Sequence, residues 1–515
     1  MANINGLFGH NRQRTSVNLL FAAYGNSIVN VATGAGYPVN LTSTSDVNFE
    51  QFIDKVYATN YTELPIEFDR TTWKRSDTIK APRARYVKSF KNRLYLGNTQ
   101  IATISPITWT FPSRVFYSNF PKTFIDSDEF PTSHTSKLTF GLTYGSNIRT
   151  RAGNPIVELD TASQFINFVA QGIKVGDPFT ILDGGGFEST VLRVDSPYRL
   201  TLITAPEFTE DAIDFWVGSN WFDVSPDDGD EIKGFSKNSD RLLIFKLMSL
   251  WFYTGSQLKQ VNGALGTSYN RSIINDRYGN TYYFHGSDPK ITGIYKYNGV
   301  SSVKISKPID PFIAGMAVGS YDNVIAWAEG NELRWYLVDL SATNLIEAMT
   351  NAVATHNVDT GTWSVDPIAD IITVSTTWRT GNEEDTFLGT SDDEVLQADD
   401  GNSFNTANIR SRLQTKVYYP AGSEIICEFP YVQVIARNAR GVRLKYRLWD
   451  NPTDIDADFT ALGEISDDKT EFPLSPSHFT ASGIEFLFDE LSTVEADWYI
   501  EKISVFYRPI RTRIL

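Results

Sequence analysis

Residues 241–255 read RLLIFKLMSLWFYTG, and residues 280–299 read NTYYFHGSDPKITGIYKYNG. Each is two short runs of bulky apolar residues parted by a few turn-forming ones. Successive side chains of a strand point to opposite faces, so Leu242 and Ile244 share one face and Leu243 and Phe245 the other. All four are apolar, which predicts a strand buried on both faces. A sheet with one wet face would alternate with polar residues. A blade of a β-propeller, packed between two neighbouring blades, is buried in this way.

Similar runs recur. They are FIDKVYATNY (52–61), FKNRLYLGN (90–98), SRVFYSN (113–119), DNVIAWAEGNELRWYLVDL (322–340) and DTFLGTSDDEVLQADDG (385–401). Val56, Leu94, Leu242, Tyr282 and Val324 mark comparable places, with gaps of 38, 148, 40 and 42 residues. Apart from the long gap, this approaches the period of about 40–50 residues expected of four-stranded blades. The competing reading is a large irregular β-sandwich.

Composition agrees with a mainly β chain. Aromatic residues make up 13%, with 24 Tyr and 33 Phe, and such side chains suit a pleated surface. The 35 Gly and 22 Pro supply tight turns. A length of 515 residues exceeds one ordinary core and implies two to four domains. The formal charge of −15 argues against a protein that grips a nucleic-acid backbone. The single cysteine, Cys427, excludes an internal disulfide and reads as a buried thiol in EIICEFPYVQVI. The N-terminal residues lack a signal-peptide pattern, and no stretch reaches the ~20 apolar residues of a membrane span, so synthesis and folding in a cytosol are expected.

The organisation read from these patterns has five parts. Residues 1–48, rich in Asn, Ser, Thr and Gly, are expected to be an extended N-terminal arm. Within them Leu19, Leu20, Phe21 and Tyr24 form an apolar cluster suited to docking on a neighbour. Residues 49–154 and 221–409 are the two parts of a propeller. Residues 155–220 are an inserted small β-barrel domain with one helix. TASQFINFVAQG (161–172) has a capping-box spacing from Thr161 to Gln164, then Phe165, Phe168 and Val169 on one face and Gly172 as a stop. PFTIL, STVLRV and YRLTLI follow as strands, the first two joined by DGGG, which reads as a hairpin turn because no phosphate-loop Lys-Ser/Thr follows. Residues 410–515 are a C-terminal β-sandwich. In VRLKYRLW (442–449), Val442, Leu444, Tyr446 and Leu448 are expected inward and Arg443, Lys445 and Arg447 outward.

Catalytic chemistry is not legible, and no catalytic residue, cofactor or metal ligand is expected. The five histidines, His10, His134, His285, His356 and His478, lack metal-binding spacing. His285 reads as a hydrogen-bonded structural residue. DDGDE (227–231), TSDDE (390–394), ADDG (398–401) and DIDAD (454–458) read as turns. In the last, Phe459 and Ile465 stand where a calcium loop needs Gly and Glu. NVDTGTW (357–363) is one residue short of the Asp-box that shapes hairpins in sialidase propellers.

Segment 232–312 resembles the β-propeller tail proteins of short-tailed bacteriophages that form the tail nozzle or tubular tail piece below the portal. The resembling features are DRLLIF, a Gly-Ser hairpin, GALGTS, YYFHG, and GIYKYNG followed by IS. YVKSFKNRLYLGN and LQTKVYYP are also similar to that family, so the resemblance covers most of residues 50–510. It implies a structural virion protein in a homo-oligomeric ring, commonly a hexamer, around a channel for viral DNA. The partners it implies are the adjacent portal, adaptor and tail proteins, with DNA passing unbound. The alternatives are a receptor- or carbohydrate-binding tail-tip propeller and a propeller glycosidase.

Overall fold

The computed structural model describes residues 4–10, 18–37, 41, 45–52, 55–68, 73–75, 81–102, 108–118, 143–159, 168–169, 173–181, 187–211, 213–218, 220–340, 350–368, 370–380, 383–392, 394–398, 403–404, 407–408, 412–449, 459–466, 469–474, 480–490 and 499–512. The chain is mainly β, built from short antiparallel strands. It divides into two compact units, Met1–Val338 with Ile371–Ala398, and Asp339–Asp370 with Asp399–Leu515.

The first unit contains a succession of small sheets. The first is Ile4–His10, Leu19–Tyr24, Ser27–Asn30 and Gly36–Tyr37, and the second is Asn48–Phe52, Lys55–Thr59, Ile66–Phe68 and Trp73–Arg75. The third joins Arg83–Phe90, Arg93–Ala102 and Thr108–Tyr117 to Trp221–Asp223. The fourth begins at Gly234 and ends at Gln260, and the fifth runs from Ile274 to Lys304. A hairpin, Ile325–Glu329 with Glu332–Leu337, comes next. The sixth sheet is Ile372–Thr380, Glu383–Thr390 and Val395–Gln397.

Two-sided burial holds where the sequence required it. Leu242, Leu243, Ile244 and Phe245 are all fully buried. Leu242 and Ile244 pack with Tyr86, Tyr95 and Val115 of the third sheet. Leu243 and Phe245 pack with Tyr283 and Tyr297 of the fifth. The same sharing runs through the unit. Phe52 and Tyr57 of the second sheet meet Leu94, Leu96 and Phe116 of the third. Tyr282 of the fifth sheet lies against Trp335 of the hairpin, and Ser375 Oγ of the sixth donates to the Ala326 carbonyl of the hairpin at 2.9 Å.

The first sheet differs most from expectation. Residues 1–48 were expected as an extended arm, yet their described part is a sheet packed on two neighbours. Phe21, Ala23 and Ile28 share a core with Val56, Ile66, Phe68 and Trp73 of the second sheet. Ile4, Leu7, Leu20 and Ala22 share another with Val374 of the sixth, against which Trp378 and Phe387 also pack. Gly9 belongs to this packing. A Cβ there would lie 2.6 Å from the Thr377 carbonyl oxygen, so glycine here permits close packing rather than flexibility.

A six-stranded closed barrel, Thr143–Arg151 through Ile213–Val217, lies in sequence between two strands of the third sheet. It starts earlier than the expected residue 155, with a first strand, TYGSNIRTR, that carries little apolar signal. Ile148 is its buried aliphatic contribution to a core that includes Phe179, Val191, Leu200 and Phe215. The expected helix (161–172) and the DGGG turn lie outside the described residues, save Phe168 and Val169. These two form a turn, Phe168 buried and Val169 exposed.

The second unit includes a hairpin, Ala352–Asn357 with Trp363–Pro367, from a stretch expected to belong to the propeller. It also contains two four-stranded sheets. Val432 and Val434 of one face Val442, Leu444, Ile484 and Phe486 of the other across a shared core. Lys445 and Arg447 are only partly exposed. They pair with buried Asp489 at 2.8 Å and buried Glu485 at 2.7 Å.

Phe245→Asp would place an unpaired carboxylate between the fourth and fifth sheets. A loss of about 4 kcal/mol is expected, read as a lower urea midpoint in equilibrium unfolding.

Candidate functional site

The densest polar convergence lies on one short segment, Tyr269–Ser272, whose last three residues form a 3-10 turn. Polar side chains inside a packed protein need partners, and those of this segment find them on nearly every sheet of the first unit. Asn270 donates through Nδ2 to Asn48 Oδ1 of the second sheet at 3.0 Å, and its Oδ1 accepts from the Phe235 N–H of the fourth sheet at 3.0 Å. Arg271 donates to the Asn5 carbonyl of the first sheet and, at 2.5 Å, to the Thr373 carbonyl of the sixth. It also pairs with Asp46 at 2.9 Å. The Ser272 carbonyl accepts from Trp335 Nε1 of the hairpin at 3.3 Å, and Ser272 Oγ accepts from the Phe284 N–H of the fifth sheet at 3.4 Å. Tyr269 donates its hydroxyl to Asp46, and burial pushes its pKa well above the ordinary phenol value.

The third sheet contributes Arg85 and Tyr86, whose side chains interact with Tyr269. Arg85 also pairs with Glu231 at 3.7 Å and lies over the Tyr61 ring. Burial alone would raise the Glu231 carboxyl. Hydrogen bonds from Lys233 and Asn98 and the charges of Lys233 and Arg85 outweigh it, holding the group below the usual carboxylate range. Gly234 makes the approach possible, since a Cβ there would lie 2.6 Å from Asn270 Oδ1.

A second polar group surrounds the turn at 225–231. Lys246, with its side chain fully buried, donates to Asp228 at 2.5 Å and to the Ser225 carbonyl at 2.8 Å. Asp230 accepts from the Leu247 and Met248 N–H groups. These carboxylates hold chain groups within a turn whose residues 226–229 are exposed. Burial would raise the Asp228 carboxyl, but the bonds from Lys246 and the Asp230 N–H hold it below its ordinary value. His285 is fully buried, bonded at Nδ1 to the Gly266 carbonyl at 3.2 Å and at Nε2 to Ser287 Oγ at 2.7 Å. Burial lowers its pKa against the opposing pull of the Gly266 and Leu247 carbonyls and Asp230.

The other residues singled out by sequence are dispersed. Leu20 and Phe21 are buried in the chain's own cores, Leu19 is partly buried, and Tyr24 is 37% exposed. The expected docking cluster is thus split between two internal packing faces. Asn357 organises the turn at 357–361 by accepting from the Asp359 and Thr360 N–H groups. His356 stacks on Trp363. Cys427 is buried, which raises its thiol pKa. DIDAD, His134 and His478 lie outside the described residues. Sequence reading missed Tyr269–Ser272 because isolated Asn, Arg and Ser in a glycine-bearing stretch carry no periodicity.

No protein-family model matches the chain, and no curated protein matches it. Among solved structures it is similar to the computationally designed Ika8 protein at 9% identity and a TM-score of 0.35, covering 77% of this chain and 96% of that one. It is also similar to an acylaminoacyl peptidase of Pyrococcus horikoshii at 10% identity and a TM-score of 0.31, covering 82% of this chain and 56% of the peptidase. The β-propeller domain of the Trilobed protease of Pyrococcus furiosus matches at 9% identity and a TM-score of 0.24, covering 72% and 96% of the two chains.

Two outcomes follow from this geometry. Arg271→Leu leaves two carbonyls and Asp46 without their cation, so a loss of about 3 kcal/mol is expected in chemical denaturation. Burial lowers the His285 pKa in the fold, so His285 takes up a proton more readily when unfolded. Stability should therefore fall as pH drops below about 6.5. Urea midpoints across that range should show the fall, and His285→Gln should flatten it.

Proposed function

We propose that this chain is a structural protein of a bacteriophage tail, a nozzle or neck component whose first unit is a seven-membered β-propeller. The carrying observation is the use made of the polar centre. Asn270, Arg271 and Ser272 engage the main chain or side chains of successive sheets, so the convergent groups act as mechanical ties. Packing of the first sheet on the sixth supports a closed propeller, with Tyr269–Ser272 on its axis.

The similarity of segment 232–312 to tail nozzle proteins supports the biological setting. In that setting copies of the chain assemble into a ring, a hexamer, bounded by portal or adaptor and further tail proteins. The ring belongs to the virion after synthesis in the host cytoplasm. The net charge of −15 suits a conduit that must not hold the DNA it passes, because each neutralised phosphate would add affinity.

Negative-stain electron microscopy and native mass measurement of the purified full-length protein test this reading. Rings of about six copies are expected. A monomer at every concentration, or a purified protein that shortens host polysaccharide, would overturn it.

A further inference from the structure

Tyr499–Thr512 is a 14-residue strand that pairs along one side with Ile425–Arg437. Among the described residues no strand pairs with its other side. A long open edge exposes a row of backbone donors and acceptors and is a template for another strand. Among its charged residues this edge carries several large apolar side chains. Tyr499, Phe506, Tyr507 and Ile510 are exposed, and Ile503 and Val505 reach the core of the second unit yet remain only partly covered.

We infer that this edge pairs antiparallel with the same edge of a second copy of the chain, about a two-fold axis at Ser504. The inference is independent of the ring proposed above and rests on the self-complementarity of the strand. A two-fold axis normal to the sheet keeps each residue on its own face, so only registers centred on a residue are allowed. Centred on Ser504, Ile503 meets Val505 on the core side, extending the apolar layer across the junction. Lys502 meets Phe506 on the outer side, an ammonium over an aromatic face. Centred on Val505, Lys502 would instead oppose Arg508, two cations directly across the ladder.

The strand also sets its own limit. Pro509 has no N–H to donate, and in the Ser504 register it falls opposite Tyr499, at the first residue of the strand. Pairing is thereby confined to the stretch between them. Regular alternation holds from Lys502 to Phe506, where the register with Ile425–Arg437 is unbroken. So short a ladder buries less than the ~1,200 Å² of a stable interface, and the dimer forms in a concentration-dependent way.

The full-length chain carrying Ser504→Cys, a near-isosteric change, provides the test. Ser504 lies opposite its own copy, so a short bis-maleimide should give a covalent dimer on a denaturing gel, its yield rising with protein concentration. The parental protein, whose Cys427 is buried, should stay monomeric on the gel, as should Val300→Cys, which places a thiol at an 83% exposed position elsewhere. If the thiol introduced by Ser504→Cys labels fully with a mono-maleimide but forms no more dimer than the Val300→Cys control, the inference is overturned. Rings without this crosslink would reject the edge pairing alone, and crosslinked dimers without rings would reject the tail reading alone.

Discussion

A sheet that is apolar on both faces must be covered twice, and the first unit follows from that constraint. Leu242 and Ile244 look toward the third sheet while Leu243 and Phe245 look toward the fifth. Neither face can be left to water without exposing several large side chains, each worth about 1.5–3 kcal/mol of burial. Every sheet therefore needs a neighbour on each side. An open row of such sheets would leave two greasy ends. Here the first sheet meets the second on one face and the sixth on the other.

Apolar contact between pleated faces is weakly directional, whereas hydrogen bonds at Tyr269–Ser272 are specific in position. Asn270, Arg271 and Ser272 address single backbone groups on different sheets, and each bond is satisfied only if that sheet sits at the right height and rotation. The ion pair of buried Lys246 with exposed Asp228 acts similarly on the turn that leads into the fourth sheet. Burying the Lys246 ammonium costs solvation, so the benefit of the pair lies more in fixing geometry than in raw stability.

The fourth and fifth sheets were legible because Leu242–Phe245 and Tyr282–Phe284 are continuous apolar runs bounded by turns. The first sheet was not. Its strands include Gly6 and Gly9, which read as loop formers but are there because a side chain would strike Val47 or Thr377. The opening strand of the barrel was hidden for a related reason, since Ile148 stands among Ser, Asn, Arg and Thr. Periodicity reports strands whose own side chains fill a core. It is silent about strands that fit into space shaped by others, and silent about Tyr269–Ser272, whose meaning depends on partners as distant in sequence as Asn5 and Thr373.

The packing of Ile4, Leu7 and Leu20 against Val374 sets an order on synthesis. The first sheet is made well before the sixth, so one of its apolar faces waits for residues near 374 to leave the ribosome. At ~5–20 residues per second this is an interval of tens of seconds. During it, the unfinished protein presents an uncovered hydrophobic face. Chaperone demand and aggregation in expression should therefore depend on the time taken to translate the stretch between the two sheets. Slow codons there would lengthen the exposure of a surface that the finished protein conceals.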